Sequence, residues 1–234
     1  MAKSRSYTLF CFLFNFLLLN STHAQSVVKP NDAQKKVLDK AIPIIIKILD
    51  QFNSPDWELS SDFYSDPSVS INPSVPLDID QNFEREYKIK NNSDRFNRLI
   101  KPINERINEL MQQQPIPYDS VKALGEKQKS MSNVTVYVYI NRKTLDITPD
   151  PKTDLKIPGV AIAQKAPGEY FKSNKGYSYW LCFGNWKTAN FKFKHPNNTP
   201  YIENIVVIFF GAEDRVQELL QKIDWRILND ALTL

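Results

Sequence analysis

Cysteine and histidine are almost missing from this chain: its 234 residues include two of each, Cys11, Cys182, His23 and His195. An N-terminal leader carries off Cys11 and His23, so the remainder holds one thiol and one imidazole. One thiol forms no internal disulfide. Structural zinc draws four ligands mainly from Cys and His, and catalytic zinc usually needs two or three His, so no metal site is expected. Glycine is scarce too, at six residues. Neither G-x-G-x-x-G nor G-x-x-x-x-G-K-[ST] occurs, which removes the phosphate-cradling loops and leaves no cofactor site to assign. The acidic run Asp78 to Glu84 begins like a calcium loop, but Phe83 stands where the EF-hand needs Gly and Ile89 where it needs a bidentate Glu.

No G-x-S-x-G elbow is present, so nucleophilic catalysis would have to use His195. That residue lies in the turn-like stretch Lys194-His195-Pro196-Asn197-Asn198, where an exposed loop histidine is the plainer expectation. No catalytic residue is assigned. Long apolar runs are also lacking beyond the first 24 residues.

Those 24 residues carry the clearest signal. Lys3 and Arg5 precede the apolar run Leu9 to Leu19, which is too short at 1.5 Å per residue to cross a bilayer core of about 30 Å. The run ends in Asn20-Ser21-Thr22-His23-Ala24, with Thr22 and Ala24 spaced as a signal peptidase requires. Residues 1–24 therefore read as a secretory signal peptide cut near Ala24, and the mature chain as exported, periplasmic or extracellular, with no stable membrane anchor. Cys11 sits inside the apolar run behind Phe10, a poor place for lipoprotein processing. Cleavage removes two lysine or arginine residues and no acid, so the formal charge of +4 falls to +2. Nucleic acid is then not an expected partner.

The mature chain divides by composition near Asn133, although one compact domain is expected. Residues 25–132 are helix-rich. Leu38, Ala41, Ile42, Ile45, Ile48, Leu49 and Phe52 form a helical stripe after a cap at Asn31 or Asp32, with Pro43 predicting a kink near Ile42. A long Pro/Ser/Asp loop from Asn53 to Gln81 holds one strand candidate, Trp57 to Tyr64. Phe83 to Lys90 alternates as a half-buried strand. A second helix, bent by Pro102, carries Phe96, Leu99, Ile100, Ile103, Ile107, Leu110 and Met111, and a weaker one spans Asp119 to Met131.

Residues 133–234 are β-rich, with strands expected at Val134 to Ile140, Ile157 to Ala163, Tyr177 to Phe183, Phe191 to Lys194 and Asn204 to Phe210. The last is apolar on both faces and predicts a central strand covered twice. A helix with the stripe Val216, Leu219, Leu220 and Ile223 and a short one from Trp225 to Leu232 close the chain. The order predicts an α+β fold with a mainly antiparallel sheet in the C-terminal half, packed by N-terminal amphipathic helices and a C-terminal helix pair.

One constellation stands out. Residues 165–195 interleave aromatics, including Tyr177, Tyr179, Trp180, Trp186, Phe191 and Phe193, with six lysines against the single acid Glu169. Strand alternation places Tyr177, Tyr179, Leu181 and Phe183 on one sheet face and Ser178, Trp180 and Cys182 on the other. As plain structure, the aromatics are core and the lysines an exposed edge that discourages sheet-to-sheet pairing. As a binding face, Trp180 and Trp186 supply flat apolar area, while Lys172, Lys187, Lys192, Lys194 and His195 attract an anionic ligand or an acidic protein partner. Cys182, in an apolar strand, is expected to be buried.

These readings lean away from an enzyme and toward an exported binding or interaction protein, of which a periplasmic inhibitor or immunity protein would be one kind. The rival is a carboxylate-dependent hydrolase acting on a cell-envelope glycan, with two carboxylates under the long loop from Asn53 to Gln81, which would have to face each other about 5 to 9.5 Å apart in a cleft.

Overall fold

The structure, a computed structural model, describes residues 27–28, 30–63, 69–70, 75–77, 83–152, 154–171 and 174–233. Residues 1–24, where a signal peptide is expected, and Lys172 lie outside them. The strands are β1 (Val27–Val28), β2 (Trp57–Phe63), β3 (Val69–Ser70), β4 (Phe83–Ile89), β5 (Asn133–Ile140), β6 (Ile162–Phe171), β7 (Asn174–Gly184) and β8 (Asn204–Gly211). The helices are α1 (Asp32–Asp50), α2 (Asp94–Leu99), α3 (Lys101–Met111), α4 (Tyr118–Ser132) and α5 (Glu213–Lys222), followed by a 3₁₀ helix, Trp225–Ala231.

Six strands form one antiparallel sheet in the order β2-β4-β5-β8-β7-β6, and β1 pairs with β3 separately. The fold is α+β. Because β4 pairs with β5 in register Tyr87↔Val134 and Phe83↔Val138, the sheet runs through the composition boundary at Asn133.

Each sheet face carries its own apolar layer. On the first, Val134, Val136 and Val138 of β5, Ile205, Val207 and Phe209 of β8, and Leu181 and Phe183 of β7 meet the stripe Leu38, Ala41, Ile45, Ile48 and Leu49 of α1. Val216 and Leu219 of α5, then Trp225 and Leu228, extend that cover. Burying each such side chain is worth about 1.5–3 kcal/mol before chain entropy is subtracted. Phe52, just past α1, stacks on Tyr87 and Phe209 at 5.1 and 5.7 Å between centroids. The Tyr87 hydroxyl donates to the Leu49 carbonyl (2.8 Å), which also accepts from the Phe52 N–H (3.0 Å), tying β4 to the C-terminal turn of the helix. Beside it, the buried Arg85 guanidinium reaches Asp50 (2.8 Å) and Asp62 (2.9 Å).

Asn31 caps α1 in a reciprocal capping box with Gln34. The expected break at Pro43 is not seen, and α1 is continuous. Pro43 deprives only the Asp39 carbonyl of its partner, and Asp39 lies on the solvent side of the helix, while buried Ala41 and Ile45 hold both flanks. Pro102 does more: two helices, α2 and α3, meet at Ile100 where one bent helix was expected.

Two strand expectations are corrected. Residues 157–161 form a turn, with the Val160 N–H donating to the Ile157 carbonyl, and the strand starts at Ile162. It tolerates Pro167 because β6 is the sheet edge and needs a single ladder. Phe191 to Lys194 is not a strand. Its amides go elsewhere, Phe191 N–H to the Lys143 carbonyl and Lys194 N–H to the Glu203 carboxylate.

Gly211 and Gly125 give a pair of opposite predictions. Gly211 ends β8 at φ +115°, where a Cβ would stand 2.1 Å from the Asn133 carbonyl oxygen. Gly211→Ala should cost about 1–3 kcal/mol. Gly125, inside α4, has open space around its Cβ position, so Gly125→Ala should add about 1 kcal/mol. Urea unfolding of the two variants should shift in opposite directions; equal shifts would contradict this backbone.

Candidate functional site

Among the described residues, the second face of the sheet is covered over only part of its width. Val206 and Ile208 of β8, Trp180 and Cys182 of β7 and Ala166 of β6 pack beneath Leu145, Trp186 and Phe191, which come from the segments after β5 and after β7. Those segments are held together by hydrogen bonds from Leu145 N–H to the Ala189 carbonyl and from Phe191 N–H to the Lys143 carbonyl (2.8 and 2.9 Å). Toward β5 the cover stops, and Tyr137, Tyr139 and Phe210 remain half-buried.

A cleft of about 360 Å³ opens at that border, floored by Tyr137, Tyr139, Ile208 and Phe210, with Trp180 at its inner side and Arg142 and Asp146 at its rim. Tyr137 stacks with Tyr139 (6.4 Å) and meets Phe210 edge-to-face (5.9 Å). The Tyr137 hydroxyl donates to Glu84 of β4 (3.1 Å).

Arg142 is fixed at both backbone and side chain. Asn204, fully buried at the start of β8, accepts from the Arg142 N–H (2.9 Å) and donates from Nδ2 to the Arg142 carbonyl (3.1 Å). The preceding residue, buried Asn141, sits at φ 53°. Its Nδ2 donates to the Leu77 and Tyr201 carbonyls (3.0 and 2.7 Å), and its Oδ1 accepts from the Glu203 N–H (2.8 Å). Asparagine tolerates this left-handed conformation better than most residues, and here every bond it makes rewards the turn. Downstream, the guanidinium lies over the rings of Tyr139 (4.4 Å) and Trp180 (5.6 Å). Its Nε donates to the Thr144 carbonyl (2.8 Å) and one terminal N–H to Asp146 Oδ2 (2.6 Å). A guanidinium has five N–H donors; the other three have no protein partner among the described residues, and neither has Asp146 Oδ1. A donor fork and an acceptor oxygen thus stand side by side above an aromatic floor.

The residues singled out in the sequence do not converge. Trp180 and Trp186 are 4% and 3% exposed, so neither ring offers free flat area. Trp186 packs edge-on to Phe191 (4.9 Å) in the second core, and only Trp180 reaches the cleft. Lys187, Lys192 and Lys194 are exposed on the segment after β7. Lys194 lines a second, shallower cleft of about 560 Å³ together with Gly159, Asn185 and Asn229. His195 is held by its own backbone N–H on Glu203 (2.8 Å), by Nδ1 on the same carboxylate (3.1 Å) and by stacking on Tyr201 (3.6 Å, 5°). No hydroxyl or thiol accompanies its other ring nitrogen among the described residues. The loop from Asn53 to Gln81, under which a hydrolase site was expected, lies in part outside the described residues; of the two clefts, the first is lined by one carboxylate, Asp146, and the second by none.

Sequence reading missed Tyr137, Tyr139, Arg142 and Asp146. The alternation of β5 was visible and put both tyrosines on one face, but nothing local marked that face as uncovered. No family model, curated protein or solved structure matches the chain.

Cys182 lies under the second core with no exposed surface. Burial pushes its thiol up to about 12, with the Arg142 charge acting in the opposite direction. An unfolded chain ionises this thiol near 9.0 while the folded protein keeps it protonated, so stability should fall as pH rises from about 9 toward 12. Buried Tyr87, also pushed up to about 12, acts in the same direction. Cys182→Ala should therefore remove part of the alkaline decline without abolishing it. Native protein should react with a thiol reagent far more slowly than denatured protein; equal rates would contradict the burial.

Proposed function

We propose that this chain is an exported binding protein without chemistry of its own, and that its ligand lies in the cleft formed by Tyr137, Tyr139, Arg142, Asp146 and Phe210. The observation that carries the reading is the state of Arg142. Its backbone is clamped by Asn204, its guanidinium is held over two rings, and three of its donors have no partner among the described residues. Sites that bind small molecules combine apolar walls with a few polar groups already in place. Ordering a free arginine would cost side-chain entropy on binding, and here that cost is met in folding. The leader supports export, which suits a protein meeting its ligand outside the cytoplasm.

A second reading, capture of an anion by the lysines, is favoured by the cleft at Lys194, whose lining includes a cation and no acid. It ranks below the first because no aromatic ring and no second charged group converge there.

Nuclear magnetic resonance with benzyl alcohol, a neutral ring bearing one hydroxyl, tests the site. Shift changes should centre on Tyr137 to Asp146 and on Trp180, Ile208 and Phe210. Changes centred on Gly159 and Lys194, or none, would contradict the proposal. Intact mass tests the export half: secreted protein should begin at Gln25, and a full-length species retained in membranes would contradict it.

A further inference from the structure

We infer that the ligand of this cleft is a neutral sugar ring. The inference rests on the cleft being the binding site, as proposed above, and goes on to the chemistry that the lining selects. Three properties narrow it.

The first is charge. The rim carries one guanidinium and one carboxylate in contact, Arg142 and Asp146 (2.6 Å), so the pair is close to neutral as a unit. A phosphate, sulfate or carboxylate approaching the free donors of Arg142 would also meet Asp146 Oδ1 and, beyond the Tyr137 hydroxyl, Glu84. A cation drawn to the aromatic faces would find Arg142 already over Tyr139 and Trp180. Burying a like charge beside either member is costly, which leaves uncharged ligands.

The second is the hydrogen-bond inventory. A simple hydrocarbon or arene would cover the three unused N–H groups of Arg142 and the free oxygen of Asp146 without satisfying them, and each such loss weakens binding. A pyranose edge supplies what they need: one hydroxyl oxygen accepts from the guanidinium while a neighbouring hydroxyl donates to the carboxylate.

The third is the floor. Tyr137 and Phe210 meet edge-to-face and Tyr139 stacks beside them, presenting apolar ring surface next to the polar rim. The ring hydrogens of a pyranose form an apolar face of matching size. The 360 Å³ cavity lies at the small end of the about 300–1,000 Å³ typical of small-molecule pockets, room for one or two sugar rings.

Calorimetric titration with three neutral disaccharides, cellobiose, maltose and N,N′-diacetylchitobiose, tests this against an anionic uronate disaccharide and the cation choline. At least one neutral sugar should bind with Kd of about 1 mM or tighter, and the uronate and choline should bind more weakly than that sugar. Asp146 is 74% exposed, so Asp146→Asn should leave thermal stability unchanged. It should weaken the neutral sugar about fivefold or more and strengthen the uronate, because the guanidinium then stands uncompensated. Preference of the native protein for the uronate or for choline would overturn the inference, as would failure of all three neutral sugars, or sugar binding indifferent to Asp146→Asn. If the sugars fail while benzyl alcohol still shifts Tyr137 to Asp146, the sugar is wrong and the cleft stands. If benzyl alcohol fails too, both readings fall.

Discussion

Strand β8 must be covered on both faces, and the rest of the molecule is arranged around that requirement. From Ile205 to Phe209 each residue is almost fully buried, so Ile205, Val207 and Phe209 need one apolar layer and Val206 and Ile208 another. The first comes from α1, α5 and the 3₁₀ helix. Among the described residues, no helix contributes to the second layer. That cover is built from Leu145, Trp186 and Phe191 on two irregular segments, and such segments bury less width than a helix. Where they end, the sheet keeps an aromatic surface that is neither core nor ordinary exterior.

The irregular cover also explains the unusual investment in buried asparagine. Backbone outside a ladder must find other partners for its amides and carbonyls. Asn141 and Asn204 supply them, bridging the end of β5, the start of β8 and the carbonyls of Leu77 and Tyr201. Glu203 does the same for the amides of Lys194 and His195. Asn204 holds both backbone groups of Arg142 and so fixes where that side chain leaves the chain. The polar network that satisfies the cover is therefore also the device that sets the rim of the cleft.

Most elements were legible because they follow from period alone. The three- and four-residue spacing of Leu38, Ala41, Ile45 and Ile48 gives α1, and the two-sided apolar run of β8 gives its central place. Pro43 misled because the helix loses one bond at an exposed carbonyl, a cost that packing on both flanks outweighs. Phe191 to Lys194 misled because alternation is also what a segment shows when it crosses a surface with one side buried, whether or not a neighbouring strand exists. The site was less legible still. Trp180 and Trp186 drew attention by size, but exposure depends on what covers a ring, and the cover comes from residues distant in sequence, such as Leu145, 41 positions before Trp186. Arg142 carries no local signal. Its role follows from Asn204, 62 positions on, a pairing that only the folded chain reveals.

Arg142 is set in place before any ligand arrives. Nitrogen relaxation at its side-chain Nε tests this directly. In the free protein its order parameter should approach that of rigid backbone, about 0.85, and should fall in Asn204→Ala, which removes the backbone clamp. A value below about 0.6 in the native protein, the range of flexible groups, would contradict a preformed site.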